Sequence, residues 1–364
     1  MSVRVAAGGA RHLAALAREP RPAGSDAEER ARRHAEQVLG EAGFTVAREP
    51  FSYSAFPGRY GTPIGGALGA LTVMTAAWQG LGRHSGGGAL AALVIGVLVV
   101  VAFARSMLGD AVLTVPLLRA TSVNLVATRP GVTPRAWLVA HLDSKSQPVP
   151  SLARVAGVTL LVAALVLALL ATALQLTSFP HRTAWWAAVA AALLGAGPVL
   201  ASVVGARSPG ALDNASGVSA VLAAAERLSV DAAVGVFLPS AEELGLAGAR
   251  AWVRGKAPGV ALNCDGVDDE GELMIMHDSN SPADVIDVIL ATAARPPRVR
   301  RMPLGLLTDS VALTDAGWRA VTLSRGSLAS LRRVHTPQDS LAALRGDGVD
   351  EMADLLARAA EALA

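Results

Sequence analysis

The 364-residue chain carries a single cysteine, Cys264, so no disulfide can form within it. Charge is scarce: Asp, Glu, Lys and Arg make up 17% of the residues, against roughly a quarter in an average globular domain. With 52% hydrophobic residues beside so little charge, the composition does not suit an ordinary soluble protein. A net charge of +2 gives no reason to expect nucleic acid as a partner. There is no G-x-S-x-G elbow and no Gly-rich phosphate loop after a strand, which removes the nucleophilic serine and P-loop chemistries. The first 60 residues are Arg-rich, helical in pattern and without an early apolar core, so no signal peptide is expected. Internal repeats and low-complexity linkers are missing as well.

What is abundant is apolar sequence, and it is concentrated. Two stretches, roughly Thr62 to Gly80 and Gly87 to Ala104, lack charge and are joined by "LGRHSGG"; two more, roughly Val155 to Phe179 and Thr183 to Ala206, are joined by "PHR". Each approaches the roughly 20 apolar residues that a helix needs to cross a bilayer. Four membrane-spanning helices in two hairpins are therefore expected, the alternative being buried core helices of a soluble protein. Arg59, Arg105, Arg154 and Arg207 flank the hairpins, against Arg83 and Arg182 at their tips, which places the remaining chain on the cytoplasmic side of a cell membrane.

Outside the hairpins, helix and strand patterns alternate. "GSDAEERARRHAEQVLGEAGF" predicts an amphipathic helix, with Ser25 and Glu28 at capping-box spacing and Gly43 as its stop. "VNLVAT", "AWLVAHL", "AVGVFLP", "GVALNCDG" and "AVTLS" read as strands; "SGVSAVLAAAERL", "GLAGARAWVRG", "DVIDVILATAA" and the stretch from Gly348 onward read as helices. The expected fold is α/β, a mixed central sheet flanked by helices, with the hairpins inserted into one domain. The division is 1–61, 106–152 and 208–364 for that domain, and 62–105 and 153–207 for the hairpins. Nothing in the sequence sets an oligomeric state.

Active sites of open sheets form at the carboxyl edges of strands, and a polar cluster follows almost every strand here. "HLD" offers His141 and Asp143, "GALDNASG" offers Asp213, "PSAEELGLAG" offers Glu242 and Glu243, "NCDG" offers Asp265, and "RRVHTPQDS" offers His335. This mixed nitrogen and oxygen set suits zinc, with cobalt or manganese as alternatives. Of the adjacent glutamates, one can ligate while the other takes a proton from water; Asp143 can orient His141. Alone, each motif is more simply a strand terminus, a turn or a solvated face. Their joint appearance, in order after successive strands, points to a site. His277 and the run Asp268, Asp269 and Glu270 are expected to be a solvated strand end and a solvated turn, and Cys264 a small buried residue.

Together with "EPRPAGS" near the start, the stretches "AHLDS", "GALDNASGVSAVLAAAERL", "SAEELGLAGAR", "NCDG" and "VHTPQDS" resemble zinc metallopeptidase family 28, the co-catalytic dizinc aminopeptidases and carboxypeptidases. The resemblance spans residues from about 19 to 340 outside the hairpins. It implies two zinc ions per chain bridged by Asp213, one also held by His141 and Asp265, the other by Glu243 and His335. Glu242 would be the general base and Asp143 the partner of His141. The implied activity is exopeptidase, most simply aminopeptidase, on peptide substrates beside a lipid bilayer. Two departures stand out. The second hairpin fills most of the interval between His141 and Asp213, and Val334 precedes His335 where the family often has a tyrosine, leaving Ser324, Arg325 or a backbone N–H to replace it, or the second zinc alone to polarise the carbonyl. Alternatives are a single-zinc glutaminyl cyclase-like enzyme and a non-catalytic membrane scaffold.

Overall fold

The computed structural model describes residues 8–278, 281–303 and 305–364. Two compact units emerge: the described residues of Met1–Ala55 with Val112–Ser146 and Ala206–Ala364, and Phe56–Ala111 with Gln147–Gly205.

The first unit is built on eight strands: β1 (Thr45–Ser54), β2 (Arg119–Thr128), β3 (Ala136–Val139), β4 (Val234–Leu238), β5 (Val260–Val267), β6 (Glu272–His277), β7 (Arg298–Arg301) and β8 (Arg319–Gly326). They form one mixed sheet in the order β1-β2-β4-β3-β5-β8-β6-β7. β3, β4, β5 and β8 run parallel; β1 joins antiparallel to β2 and β2 to β4, and β6 pairs antiparallel with β8 and parallel with the edge strand β7. The parallel strands therefore present their carboxyl ends at one edge.

The centre of the sheet is covered on both faces, and the alternation along each strand shows why. Ala136 and Leu138 of β3, Val234, Val236 and Leu238 of β4, Val260 and Leu262 of β5, and Val321 and Leu323 of β8 enter one core. That core is completed by the helices Gly217–Ala225 and Asp347–Leu363. The intervening Val139, Phe237, Ala261 and Ala320 face a second core with the helices Ala247–Trp252 and Asp309–Asp315. There Trp252 stacks on Phe237 at 4.0 Å between ring centroids and meets Trp137 and Trp318 at 4.9 and 5.1 Å, so half of the chain's six tryptophans sit in one cluster.

The helix Asp26–Glu41 starts where the sequence places it, but only half of the capping box closes. Ser25 Oγ accepts from the Glu28 N–H at 3.2 Å, whereas the Glu28 carboxylate accepts from Gly24 N–H and pairs with Arg32, both at 2.8 Å. A second expectation fails more clearly. Asp268 is buried and accepts from Ser330 Oγ at 2.6 Å and from Arg333, and Asp269 accepts the N–H groups of Arg345, Gly346 and Gly348. Asp269 thus anchors the start of the last helix, where free N–H groups and the helix dipole favour a carboxylate, and of the three acidic residues only Glu270 is exposed as expected.

The second unit holds four helices long and apolar enough to cross a membrane: Phe56–Gly82, whose last turn is a π-helix, Gly86–Met107, Ser151–Leu176 and Arg182–Leu200. Large apolar side chains cover their outer faces, with Ile95 and Leu98 each 63% and Leu194 69% exposed. Between the third and fourth helices the backbones approach at paired glycines: a Cβ on Gly157 would lie 2.8 Å from Gly195 O, and one on Gly195 would lie 2.7 Å from Gly157 O. Small residues at the crossing are what allow this close packing.

Candidate metal centre

Five chain segments converge at the carboxyl edge of the parallel strands. His141 follows the end of β3, Glu242 and Glu243 follow β4, Asp265 lies late in β5, Asp213 precedes the buried helix Gly217–Ala225, and His335 follows the helix Leu328–Arg333 after β8. The Asp213 carboxylate lies between the two histidines: Oδ1 is 3.2 Å from His141 Nε2 and Oδ2 is 2.9 Å from His335 Nε2. Asp265 Oδ1 and Glu242 Oε2 stand 3.7 and 3.9 Å from His141 Nε2, and Glu243 Oε1 stands 3.5 Å from His335 Nε2. Two triads result, His141 with Glu242 and Asp265, and Asp213 with Glu243 and His335, in each of which one ligand atom per residue lies within 4.8 Å of the others.

The loops that carry these groups are pinned to one another. Asp339 of the "HTPQDS" segment accepts from Leu212 N–H at 2.6 Å and Asp213 N–H at 3.1 Å, joining the His335 loop to the Asp213 loop. Asn214, reached through a cis peptide bond from Asp213, donates to Cys264 O and accepts from the N–H groups of Gly217 and Gly266, which ties Asp213 to the Asp265 segment. Ala241, Leu246 and His335 adopt left-handed backbone conformations at φ of 57°, 61° and 64°. Such a conformation costs a non-glycine residue roughly 1–2 kcal/mol and is held here by the surrounding hydrogen bonds.

Asp143 acts differently from the expectation. The His141 Nδ1 hydrogen bond is to the Asp143 main-chain carbonyl at 3.1 Å, with a carboxylate oxygen at 3.6 Å, beyond hydrogen-bond range. The Asp143 carboxylate instead accepts from the N–H groups of Glu242 and Glu243 at 3.1 and 3.3 Å, fixing the turn that presents both glutamates. Two of the side chains considered in place of the missing tyrosine are engaged elsewhere: Ser324 Oγ donates to Gly266 O and Arg325 pairs with Glu351. Tyr53 lies in β1 and Tyr60 in the first apolar helix. Cys264 is fully buried and its thiol is pushed well up by that burial, as befits an inert small residue. His277, at the end of β6, is partly buried, its ring bonded to Asp278 O.

Charge in this pocket is strongly perturbed. Burial alone would lower the His141 imidazole, but Glu242 and the surrounding aspartates hold it well above the usual histidine range. Burial would raise Asp213, yet His141 and His335 hold it well below the usual carboxylate range. Glu242 is raised well above that range, first by burial and then by Glu243, Asp309 and Asp265, with His141 opposing. Glu243 moves the other way, to about 2: burial would raise it, and the Lys145 ammonium overrides burial.

These features fit a divalent cation. His141 Nε2 and Glu243 Oε1 are buried without a hydrogen-bond partner, an arrangement that costs free energy unless another electrophile satisfies them. Each triad combines one imidazole with two carboxylates, a donor set that zinc accepts.

Three residues that matter here escaped the motif analysis. Lys145 contacts Glu243 Oε2, Asp309 is fully buried with neither carboxylate oxygen partnered, and the buried Arg21 of "EPRPAGS" donates to the main-chain carbonyls of Leu16, Leu142, Pro209 and Gly210. The only sequence signal for Lys145 is its place four residues after His141, which by itself does not separate it from a surface lysine.

No curated protein matches the chain in sequence. Among solved structures it is similar to the aminopeptidase from Aneurinibacillus sp. strain AM-1, at 16% identity and TM-score 0.54 over 97% of this chain and 92% of that one. It is likewise similar to a Zn-dependent exopeptidase from Parabacteroides distasonis ATCC 8503, at 11% identity and TM-score 0.56 over 96% and 95% of the two chains. The glutaminyl cyclase of Fimbriiglobus ruber aligns at 13% identity and TM-score 0.51 over 97% and 94%. At such identities the likeness shows the fold, a zinc aminopeptidase-like α/β sheet. The sequence profile of peptidase family M28 matches residues 124–360, more than half of the chain and a span that holds all seven residues singled out by motif, and the chain belongs to that family.

Proposed function

We propose that this protein is a membrane-embedded, zinc-dependent exopeptidase that removes N-terminal residues from short peptides at the cytoplasmic face of the membrane. Membership of family M28 and the zinc aminopeptidases among its structural neighbours support a zinc hydrolase in general. The observation that carries the finer reading is the Asp213 carboxylate lying between His141 and His335, with one oxygen toward each. That arrangement suits a carboxylate shared by two ions, with His141 and Asp265 completing one set and Glu243 and His335 the other.

When bound, zinc supplies Lewis acidity to the scissile carbonyl and lowers the pKa of the attacking water. The chain supplies the rest. Glu242, on the turn held by Asp143, takes the proton of that water and returns it to the leaving amine. His141 is held in orientation by the Asp143 carbonyl, and Asp339 holds the Asp213 loop in place. The four apolar helices anchor this chemistry in a lipid bilayer, since their exposed aliphatic surface has no favourable place in water.

Glu242→Gln separates binding from chemistry. The variant is expected to retain zinc while peptide hydrolysis falls at least about a hundredfold; full activity in purified Glu242→Gln would sink the mechanism. Glutaminyl cyclases share the fold, so the assay includes a substrate with N-terminal glutamine, and cyclisation in place of hydrolysis would shift the assignment to that reaction.

A further inference from the structure

Among the described ion pairs, the two triads differ in one respect: only the Asp213–Glu243–His335 set has a lysine in direct contact with one of its carboxylates. Lys145 Nζ contacts Glu243 Oε2, leaving Oε1 as the oxygen that faces His335. This lysine does not wander over the surface. Its neighbours Ser144 and Ser146 are both buried and hydrogen-bonded: Ser144 exchanges main-chain and hydroxyl bonds with Arg21 at 2.9 Å and donates to Ser208 O, and Ser146 Oγ accepts from Arg207 N–H at 2.8 Å. With the backbone fixed on both sides, the side chain is directed inward and is only 15% exposed. No lysine or arginine is paired with the carboxylates of Glu242 or Asp265 among the described ion pairs.

We propose that Lys145 is a positioning residue that sets the metal affinity of the centre formed by Glu243 and His335 with the shared Asp213, holding it weaker than the centre formed by His141 and Asp265 with the same Asp213. This rests on the metal-dependent reading above and deepens it. Two physical effects act in the same direction. The ammonium takes one of the two Glu243 oxygens, so that residue offers an ion a single oxygen. Its positive charge also opposes a divalent ion across a short, poorly hydrated distance, where Coulomb energies are several times those in water. The centres would then fill in order, and the weaker one would exchange its ion first.

The test is a zinc titration of the full-length, detergent-purified protein after metal removal, read by competition with a chromophoric chelator rather than by activity. The wild type is expected to bind in two steps, the weaker abolished by His335→Ala and the tighter by His141→Ala. Lys145→Met should tighten the weaker step about tenfold or more and the tighter step by clearly less, whereas Lys145→Arg should keep the wild-type pattern. Lys145→Gln serves as the second uncharged variant should the Met variant fail to fold. A wild type that takes up one zinc per chain, with uncharged variants that take up two, also supports the proposal. Two steps of equal affinity, or a weaker step that loosens or stays put without the charge, would overturn it while leaving the metallopeptidase reading intact. Failure of the wild type to bind zinc at all would overturn both.

Discussion

Asp309 shows how much a single buried group can say about conditions. Its carboxyl is raised to about 8, first by burial and then by Asp265, Asp143 and Glu243, with His141 opposing, against about 3.9 for a free aspartate. The folded metal-free chain therefore holds a proton there that the unfolded chain has lost between those two values. The sign follows: the stability tied to this group is fully present below about pH 4 and is lost as pH rises through about 8. Asp309→Asn should stabilise metal-free protein at pH 9 by on the order of a few kcal/mol and change it little at pH 4, as read from thermal unfolding in detergent; equal shifts at both pH values would contradict the assignment. Six residues singled out by motif meet in the two triads, each from a short stretch whose residue types stand out in the sequence. Lys145, Asp309 and Arg21 were not legible in this way, since their importance depends on what burial brings against them. Asp143 was half legible: its place beside His141 was evident, but only the fold reveals that its carboxylate serves the glutamates.

Elements were easiest to read where a period was long or a strand was buried on both faces. β4 and the helix Gly217–Ala225, apolar throughout, stand at the centre of the sheet and core as their composition demands. β1 and β7 were harder. β1 alternates weakly, with Arg48, Glu49 and Pro50 at its middle, and β7 is "RVRR", an edge strand whose charges face solvent. Their pairing partners, not their own sequences, make them strands. The hairpins were legible as hydrophobic stretches, but not their packing. At the crossing of Ser151–Leu176 with Arg182–Leu200, Gly195→Leu would drive a side chain into Gly157 O and the Leu160 Cβ. Such overpacking costs about 1–3 kcal/mol and is expected to lower the Tm of the detergent-solubilised protein by several degrees; an unchanged Tm would show that these helices do not meet at this point.

At the scale of the molecule, a peptidase sheet and a set of apolar helices are interleaved in one chain. The first helical pair lies between β1 and β2, which are paired in register from Thr45 with Thr128 to Ser54 with Arg119, so it stands in the sequence where a hairpin turn would be. The second lies between His141 and Asp213, the two residues whose side chains meet at 3.2 Å. The first insertion leaves the pairing of β1 with β2 unbroken, since the chain departs after Ser54 and returns at its partner Arg119. The composition already separated these parts, since the scarcity of charge is confined to the apolar helices. Measurement of zinc content in detergent-purified, zinc-loaded protein, together with chelator-sensitive release of N-terminal residues from short peptides, tests the central claim most directly. Two zinc ions per chain, one for each triad, with release that the chelator abolishes and zinc restores, is the expected result; protein that binds no zinc and turns over no peptide would contradict it.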